Sequence, residues 1–139
     1  MNPENRLALI VDDDPDICWA LEHVLLGLDV RCTRALNGQS ALQTVRLNRF
    51  ALALLDAKLP DFDGLELAQH IRKAQPGTPI VIISGYFYKD DPTIQAALKQ
   101  GLIRGFIEKP FSHRDIVDIL NGALFVPQAA ARKALLRGA

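Results

Sequence analysis

Four apolar runs in the sequence each end at polar residues that could carry chemistry. The polar residues, in chain order, are Asp12 with Asp13, Asp56, Ser84 and Lys109. Apolar runs of this length between turn signals are typical of strands that are buried on both faces. A carboxylate inside such a core is costly unless it is paired or binds a metal. Because the carboxyl ends of parallel strands meet at one edge of a sheet, we expect these side chains to converge there.

The residue types in this set favour phosphoryl transfer to a carboxylate. Asp12, Asp13 and Asp56 would repel one another, and a hard divalent cation relieves that repulsion. Mg²⁺ is the simplest choice, and Mn²⁺ could substitute. Lys109 adds a mobile positive charge, and Ser84 adds a hydroxyl. A nucleophilic aspartate with a cation, a lysine and a hydroxyl can transfer a phosphoryl group onto Asp56.

The elements that must position these residues alternate between strand and helix. The sequence predicts five apolar strands and five helices, which indicates an α/β fold with a doubly wound parallel sheet covered on both sides. Asp14 and Pro15 suit the start of the first helix, and Ser112 with Asp115 forms a capping box before the fifth. The residues expected on the inward stripe of the first helix are Ile17, Ala20, Leu21, Val24 and Leu28.

Composition narrows the class of protein. The chain has 139 residues, with 16 basic and 16 acidic residues and no net charge. We therefore expect no direct nucleic-acid binding and no attraction to acidic lipid. No apolar run approaches the ~20 residues of a membrane span, and we expect no secretory signal. Cys18 and Cys32 form no CxxC motif and are expected to be buried free thiols, so a cytoplasmic location is the simplest interpretation.

A change of composition after Pro127 suggests the domain organisation. We expect one domain over residues 1–125 and an alanine-rich, basic C-terminal extension or linker stub over residues 126–139. The sequence QAAARKALLRGA contains three basic residues and no acidic residue. It is too short for a helix-turn-helix, so no DNA-binding domain is expected in it.

Four motifs in order resemble the receiver domain of two-component response regulators. They are VDDDP at Val11–Pro15, LLDAKLPDFDG at Leu54–Gly64, ISG at Ile83–Gly85 and EKPF at Glu108–Phe111. The resemblance covers about residues 6–125, and the stretch DDDPDICWALEHVL is most similar to the nitrogen-regulator class. The resemblance implies a flavodoxin-like fold with five parallel strands and five helices.

The resemblance also implies roles for residues of the site. Asp56 would be the phosphoacceptor. Asp12 and Asp13 would hold Mg²⁺ together with Asp56 and the backbone carbonyl of Lys58. The resemblance further implies that the positions of Lys58 and Tyr86 tune the lifetime of the phosphorylated state.

Three further residues would respond to the phosphoryl group. By resemblance, Ser84 and Lys109 would contact it, and the Lys109–Pro110 peptide bond would be cis. Phe106 matches the family's aromatic switch residue, which turns inward as the Ser84 loop closes. A two-state equilibrium would then be biased by new contacts at the site.

Partners are implied by the resemblance as well. The phosphodonor would be a sensor histidine kinase or a histidine phosphotransfer protein, and the downstream effector is unknown. Trp19 and Leu26 lie off the inward stripe of the first helix and are candidates for the phosphodonor docking face. Alternatively, Trp19 packs across the sheet edge. Family members also dimerise through the face of the fourth helix, so a homodimer is possible.

Two other function classes compete with this interpretation. A binding module that works without phosphorylation would have no need for the complete set of site residues. A haloacid-dehalogenase-type phosphatase would carry a DxD pattern after the first strand, whereas Asp56 follows the third apolar run and is followed by Ala57-Lys58. We therefore expect a phosphoacceptor signalling domain that promotes only its own phosphorylation and dephosphorylation, and not an enzyme with an external substrate.

Overall fold

A computed structural model describes residues 6–87 and 90–122 of the chain. Five strands form one parallel sheet: β1 (Leu7–Val11), β2 (Arg31–Ala35), β3 (Leu52–Asp56), β4 (Ile80–Ser84) and β5 (Gly105–Glu108). Four helices alternate with them: α1 (Pro15–Gly27), α2 (Gly38–Leu47), α3 (Gly64–Ala74) and α4 (Pro92–Lys99). A fifth helix, α5, is described over residues 113–122.

The strand order is β2-β1-β3-β4-β5, and all neighbouring strands are parallel. This is the flavodoxin-like order, in which the chain reverses direction across the sheet beside β1 and β3. The predicted fold class is therefore confirmed. Ligands of open α/β sheets bind at that switch point, outside the carboxyl ends of the strands.

The sheet separates two hydrophobic layers. Leu9, Val11 and Leu55 point toward α2, α3 and α4, while Ala8 and Ile10 point toward α1 and α5. These strand residues have almost no exposed surface, which explains why the strands read as continuous apolar runs instead of an alternating pattern.

The predicted start of the first helix is confirmed, and most of its expected inward stripe lies against the core. Asp14 is the N-cap of α1 and accepts a hydrogen bond from the backbone N–H of Asp16. Leu21 and Val24 are buried, and Ile17 and Leu28 are half-buried and pack against the same core cluster. That cluster also contains Cys18 and Leu25 of the helix. The inward face is therefore wider than the predicted stripe, because packing against the sheet also covers Cys18 and Leu25.

The predicted capping box of the fifth helix is also confirmed. Ser112 and Asp115 exchange hydrogen bonds of 3.0 Å at the start of α5. Gly101 follows α4 with a φ of 77°, where a side chain would be strained. The extension over residues 126–139 lies outside the described residues.

Both cysteines are free thiols. Cys18 is buried, and Cys32 is half-buried. Burial, reinforced by the charge of Asp12, raises the pKa of Cys18 to about 11. Burial raises the pKa of Cys32 to about 12. Both groups are therefore protonated and weakly nucleophilic at neutral pH. Within the described part of the chain, none of the helices is both long and apolar enough to cross a lipid bilayer.

Candidate functional site

The carboxyl ends of four adjacent strands carry the residues singled out from the sequence. Asp12 and Asp13 follow β1, and Asp56 is the last residue of β3. Val11 pairs with Leu55 in the sheet, which brings the three acids side by side. Ser84 ends β4, and Lys109 follows β5, whose Glu108 pairs with Ser84. The sheet therefore brings together all five predicted residues along one edge.

The three acids form a cluster with the donor set of a cation site. Carboxylate oxygens of Asp12, Asp13 and Asp56 all lie within 4.8 Å of one another. Asp12 is buried, Asp56 is half-buried and Asp13 is exposed, so the cluster opens to solvent on the Asp13 side. Three hard oxygen donors on adjacent, rigid strand ends fit a divalent cation such as Mg²⁺, which prefers carboxylates and water.

Lys109 provides the positive charge of the site. Its Nζ lies 3.1 Å from Oδ2 of Asp12 and 3.5 Å from Oδ1 of Asp56. Burial lowers the pKa of Lys109, but the charges and hydrogen bonds of Asp12 and Asp56 outweigh burial, so the pKa is raised overall. The lysine is therefore charged at neutral pH and remains within reach of groups that bind beside Asp56.

Burial and neighbouring charges also shift the pKa of Asp56. Burial raises the pKa of Asp56, and the negative charge of Asp12 raises it further. Lys109 and a hydrogen bond from the backbone N–H of Lys58 act in the opposite direction, but the net shift is upward. A carboxylate that is partly desolvated and surrounded by charge is typical of a functional group.

Ser84 shapes the loop that follows β4. Its Oγ accepts hydrogen bonds of 2.8 Å from the backbone N–H groups of Tyr86 and Phe87. The backbone N–H of Lys109 donates to the Ser84 carbonyl at 2.8 Å, and the Lys109–Pro110 bond is cis as expected. The serine hydroxyl retains its own proton for a further hydrogen bond.

A cleft borders the site between the β3–α3 and β4–α4 loops. Its volume is about 320 Å³, and Lys58, Pro60 and Tyr86 are among its lining residues. The Nζ of Lys58 lies 4.9 Å from the centre of the Tyr86 ring, which is a cation–π distance. Tyr86 is exposed, whereas Phe87 packs against the core. The two positions expected to tune the phosphorylated state are thus in contact.

The switch and docking candidates occupy different surfaces. Phe106 is half-buried and packs against the core layer shared with α2, α3 and α4. Trp19 and Leu26 on α1 are 62% and 69% exposed. The Trp19 ring stacks on His23, with 5.3 Å between the ring centres. That exposure does not fit the alternative in which Trp19 packs across the sheet edge.

One residue near the site has a role that sequence reasoning missed. The two carboxylate oxygens of Asp61 accept hydrogen bonds from the backbone N–H groups of Gly38 and Gln39. The partners are more than twenty residues earlier in the chain, so no local pattern could reveal the contact.

Comparisons with known proteins agree with this geometry. A family model described as the response regulator receiver domain matches residues 8–121. The response regulator protein PilR of Pseudomonas aeruginosa is 37% identical over 129 residues, which cover 91% of this chain and 28% of PilR. The DNA-binding transcriptional regulator NtrC of Escherichia coli K12 is 30% identical over 137 residues, which cover 97% of this chain and 29% of NtrC.

Solved structures also resemble the fold. A CheY-like receiver domain protein of Methanospirillum hungatei superimposes with a TM-score of 0.80 at 26% identity, covering 91% of this chain and 98% of that one. The present chain spans less than a third of PilR and NtrC. NtrC among the relatives agrees with the nitrogen-regulator resemblance of the first helix. From its motifs, its strand order and its family match, the chain belongs to the receiver-domain family of two-component response regulators.

Proposed function

We propose that Asp56 is the phosphoacceptor of this receiver domain and that a histidine kinase or histidine phosphotransfer protein is its phosphodonor. The observation that carries the proposal is the convergence of one half-buried aspartate with two further acids and a lysine at a single sheet edge. Such a set matches the needs of phosphoryl transfer, in which positioning and charge neutralisation supply most of the catalysis.

The transfer follows from the chemistry of these side chains. A carboxylate oxygen of Asp56 forms a bond to phosphorus while the bond from phosphorus to the donor histidine nitrogen breaks, and the electron pair returns to the imidazole. The product is an aspartyl phosphate. Lys109, already 3.5 Å from Asp56, neutralises charge on the transferred group. The hydroxyl of Ser84 donates a hydrogen bond to another phosphoryl oxygen.

The cation of the site is proposed to be Mg²⁺, with Mn²⁺ as a substitute. Asp12, Asp13 and Asp56 would supply carboxylate ligands, and Lys58 would supply its backbone carbonyl. When bound, the ion would neutralise negative charge on the acids and the phosphoryl oxygens. The fit rests on the donor set, since Mg²⁺ favours hard oxygen ligands and commonly contacts phosphate.

The output is proposed to be a change of surface. Ser84 accepts hydrogen bonds from Tyr86 and Phe87, so a movement of Ser84 toward the phosphoryl group would carry this loop with it. Phe106 lies on β5, the strand next to Ser84, and would turn inward in response. The face formed by α4, β5 and α5 would then carry the altered surface to an effector or to a second copy of the chain.

We assign residues 1–125 to the receiver domain and residues 126–139 to an extension or linker stub. The domain is proposed to work in the cytoplasm, without binding nucleic acid itself. It promotes only its own phosphorylation and dephosphorylation.

The decisive experiment is intact mass spectrometry after incubation with acetyl phosphate and Mg²⁺. Wild type should gain one phosphoryl group, and Asp56→Asn should gain none. A matched control is Asp16→Asn, which changes an exposed aspartate of α1 outside the acidic cluster and should still be phosphorylated.

Two outcomes would contradict the proposal. No mass gain in folded wild type that binds Mg²⁺ would indicate a module that works through protein contacts alone. Steady turnover of p-nitrophenyl phosphate would instead indicate a phosphatase. The position of Asp56 on β3, followed by Ala57-Lys58, disfavours the phosphatase.

A further inference from the structure

The β3–α3 loop, residues 57–63, carries Lys58 and is closed on itself. Gly64 donates its backbone N–H to the carbonyl of Ala57 at 2.8 Å, and Leu59 donates to the carbonyl of Phe62 at 3.1 Å. A Cβ on Gly64 would lie 2.3 Å from the backbone oxygen of Asp56, so glycine is needed for this close approach. The loop is therefore packed directly against the end of the strand that carries the phosphoacceptor.

The tip of this loop is tied to the N-terminus of α2. The carboxylate of Asp61 accepts hydrogen bonds of 2.8 Å from Gly38 and 2.9 Å from Gln39. N–H groups in the first turn of a helix have no partner within the helix, and the helix dipole favours a negative charge there. Desolvation raises the pKa of Asp61, but these hydrogen bonds outweigh it and lower the pKa overall, so the carboxylate stays charged.

Phe62 adds a close apolar contact with α2 to the hydrogen bonds of Asp61. A Cβ on Gly38 would lie 2.2 Å from Cδ2 of Phe62, so only glycine at this position admits the ring. The Phe62 ring also makes an edge-to-face contact with His70 of α3, with 5.8 Å between the ring centres. The loop tip is thus held between α2 and α3.

The helix itself already has a cap without Asp61. Asn37 is the N-cap of α2, and its side chain accepts a hydrogen bond of 2.8 Å from the backbone N–H of Ser40. A single N-cap is sufficient to start a helix, and many helices have no second acceptor from a distant loop. We therefore expect the hydrogen bonds to Asp61 to stabilise the position of the loop more than they stabilise α2.

We propose that Asp61 is a positioning residue of the phosphorylation site: it anchors the β3–α3 loop to α2 and so fixes the backbone of Lys58 relative to Asp56. This inference rests on the proposed function, because Lys58 matters only if its carbonyl helps to hold a cation. Groups that orient metal ligands without touching the metal commonly change its affinity by about tenfold or more when removed.

The test compares Asp61→Ala with Asn37→Ala. Both variants remove an oxygen acceptor from the N-terminus of α2, but only Asp61 belongs to the β3–α3 loop. Isothermal titration with Mg²⁺ should show about tenfold weaker binding for Asp61→Ala and binding within about twofold of wild type for Asn37→Ala. With acetyl phosphate, the Mg²⁺ concentration for half-maximal phosphorylation should rise in Asp61→Ala, while the rate at saturating Mg²⁺ should stay near that of wild type.

Two further variants distinguish a loss of loop positioning from the loss of a negative charge near the cation. Gly38→Ala leaves every charge in place but forces Phe62 to move, so it should weaken Mg²⁺ binding in the same direction. Asp61→Glu keeps a carboxylate that can still reach α2 and should recover most of the affinity. If Gly38→Ala and Asp61→Ala both bind Mg²⁺ as tightly as wild type, Asp61 is only a helix cap and the inference is wrong.

Hydrogen exchange in the metal-free protein tests the anchoring of the loop independently of phosphorylation. The amides of Leu59 and Gly64 should exchange about tenfold faster in Asp61→Ala than in Asn37→Ala, because their hydrogen bonds close the loop. Failure of wild type to take up a phosphoryl group would overturn the proposed function but leave this comparison intact. Equal exchange in the two variants would overturn the anchoring role itself.

Discussion

At the residue scale, the ion pair between Asp12 and Lys109 is better explained by a role in the chemistry of the site than by a contribution to folding stability. The Asp12 side chain is 2% exposed, and its second oxygen accepts from the backbone N–H of Asp14 at 2.9 Å. Desolvation of a buried ion pair cancels most of its attraction, so apolar residues would stabilise this position at least as well. The pair does keep a charged lysine beside Asp56, where a phosphoryl group would need it.

Exposed apolar residues on α1 lead to a prediction about the phosphodonor. Trp19 and Leu26 are seven residues apart, which places them on the same side of a helix, and Trp19 is a residue type that often dominates binding energy at interfaces. Trp19→Ala should slow phosphoryl transfer from a phosphorylated histidine kinase by about tenfold and leave phosphorylation by acetyl phosphate unchanged. Both rates can be measured by quenched-flow mass spectrometry.

The control for that prediction is Leu47→Ala. Leu47 is 83% exposed, but it lies at the end of α2 on the opposite face of the sheet. It should affect neither rate. Equal loss of both rates in Trp19→Ala would show that the tryptophan supports the fold and not docking.

At the element scale, helix termini and strand ends account for most of the site. Asp12, Asp13 and Asp56 lie at strand ends, and Asp14 and Asp63 are the N-caps of α1 and α3 that follow. These five acids therefore have two different tasks. Asp12, Asp13 and Asp56 form the cluster of the proposed cation site, whereas Asp14 and Asp63 cap helices.

A pH-dependent contact joins α1 to β2. The Arg34 guanidinium makes two hydrogen bonds to the Glu22 carboxylate, and its Nη2 lies 2.9 Å from Oε2. The hydrogen bond from Arg34 lowers the pKa of Glu22 below its ordinary value of 4.5. A carboxylate with a lowered pKa stabilises the folded state above its unfolded pKa, and this contribution disappears as the pH falls through the folded pKa.

Glu22→Gln should therefore lower the free energy of unfolding by about 0.2–1 kcal/mol at neutral pH, the range for an exposed pair, and by almost nothing near pH 3. Urea unfolding of wild type and variant at both pH values measures the difference. In an Arg34→Gln background the same substitution should have no pH-dependent effect. A difference that persists unchanged at low pH would contradict the role of the pair.

At the scale of the whole molecule, stability should be linked to the cation. A ligand that binds only the folded state at about 100 times its Kd adds about 2.7 kcal/mol to the free energy of unfolding. For a chain of this size that corresponds to a rise in Tm of roughly 5–10 °C. Wild type should show this rise with Mg²⁺, and EDTA should reverse it, as measured by differential scanning calorimetry.

Asp13→Asn should show a smaller rise with Mg²⁺, because one charged donor is lost. In metal-free buffer it should be at least as stable as wild type, since the substitution relieves repulsion within the cluster. Asp16→Asn, an exposed acid on α1 outside the cluster, is the matched control and should respond to Mg²⁺ like wild type. An equal response of Asp13→Asn would exclude Asp13 as a ligand.

The sequence by itself determined the fold class and the members of the acidic and basic site. Continuous apolar strands, each followed by a polar residue, require a parallel sheet whose strand ends share one edge, and the caps at Asp14 and Ser112 are purely local signals. Asp56, Asp12 and Lys109 could therefore be named together before any coordinates were known.

Only the tertiary structure decided which of several possible contacts are made. Packing of α1 against the sheet buries Cys18 and Leu25 in addition to the predicted Leu21 and Val24. The attachment of Asp61 to the N-terminus of α2 joins residues that are more than twenty positions apart. Local pattern carries no information on such pairs, because it is the sheet order that brings the β3–α3 loop and α2 side by side.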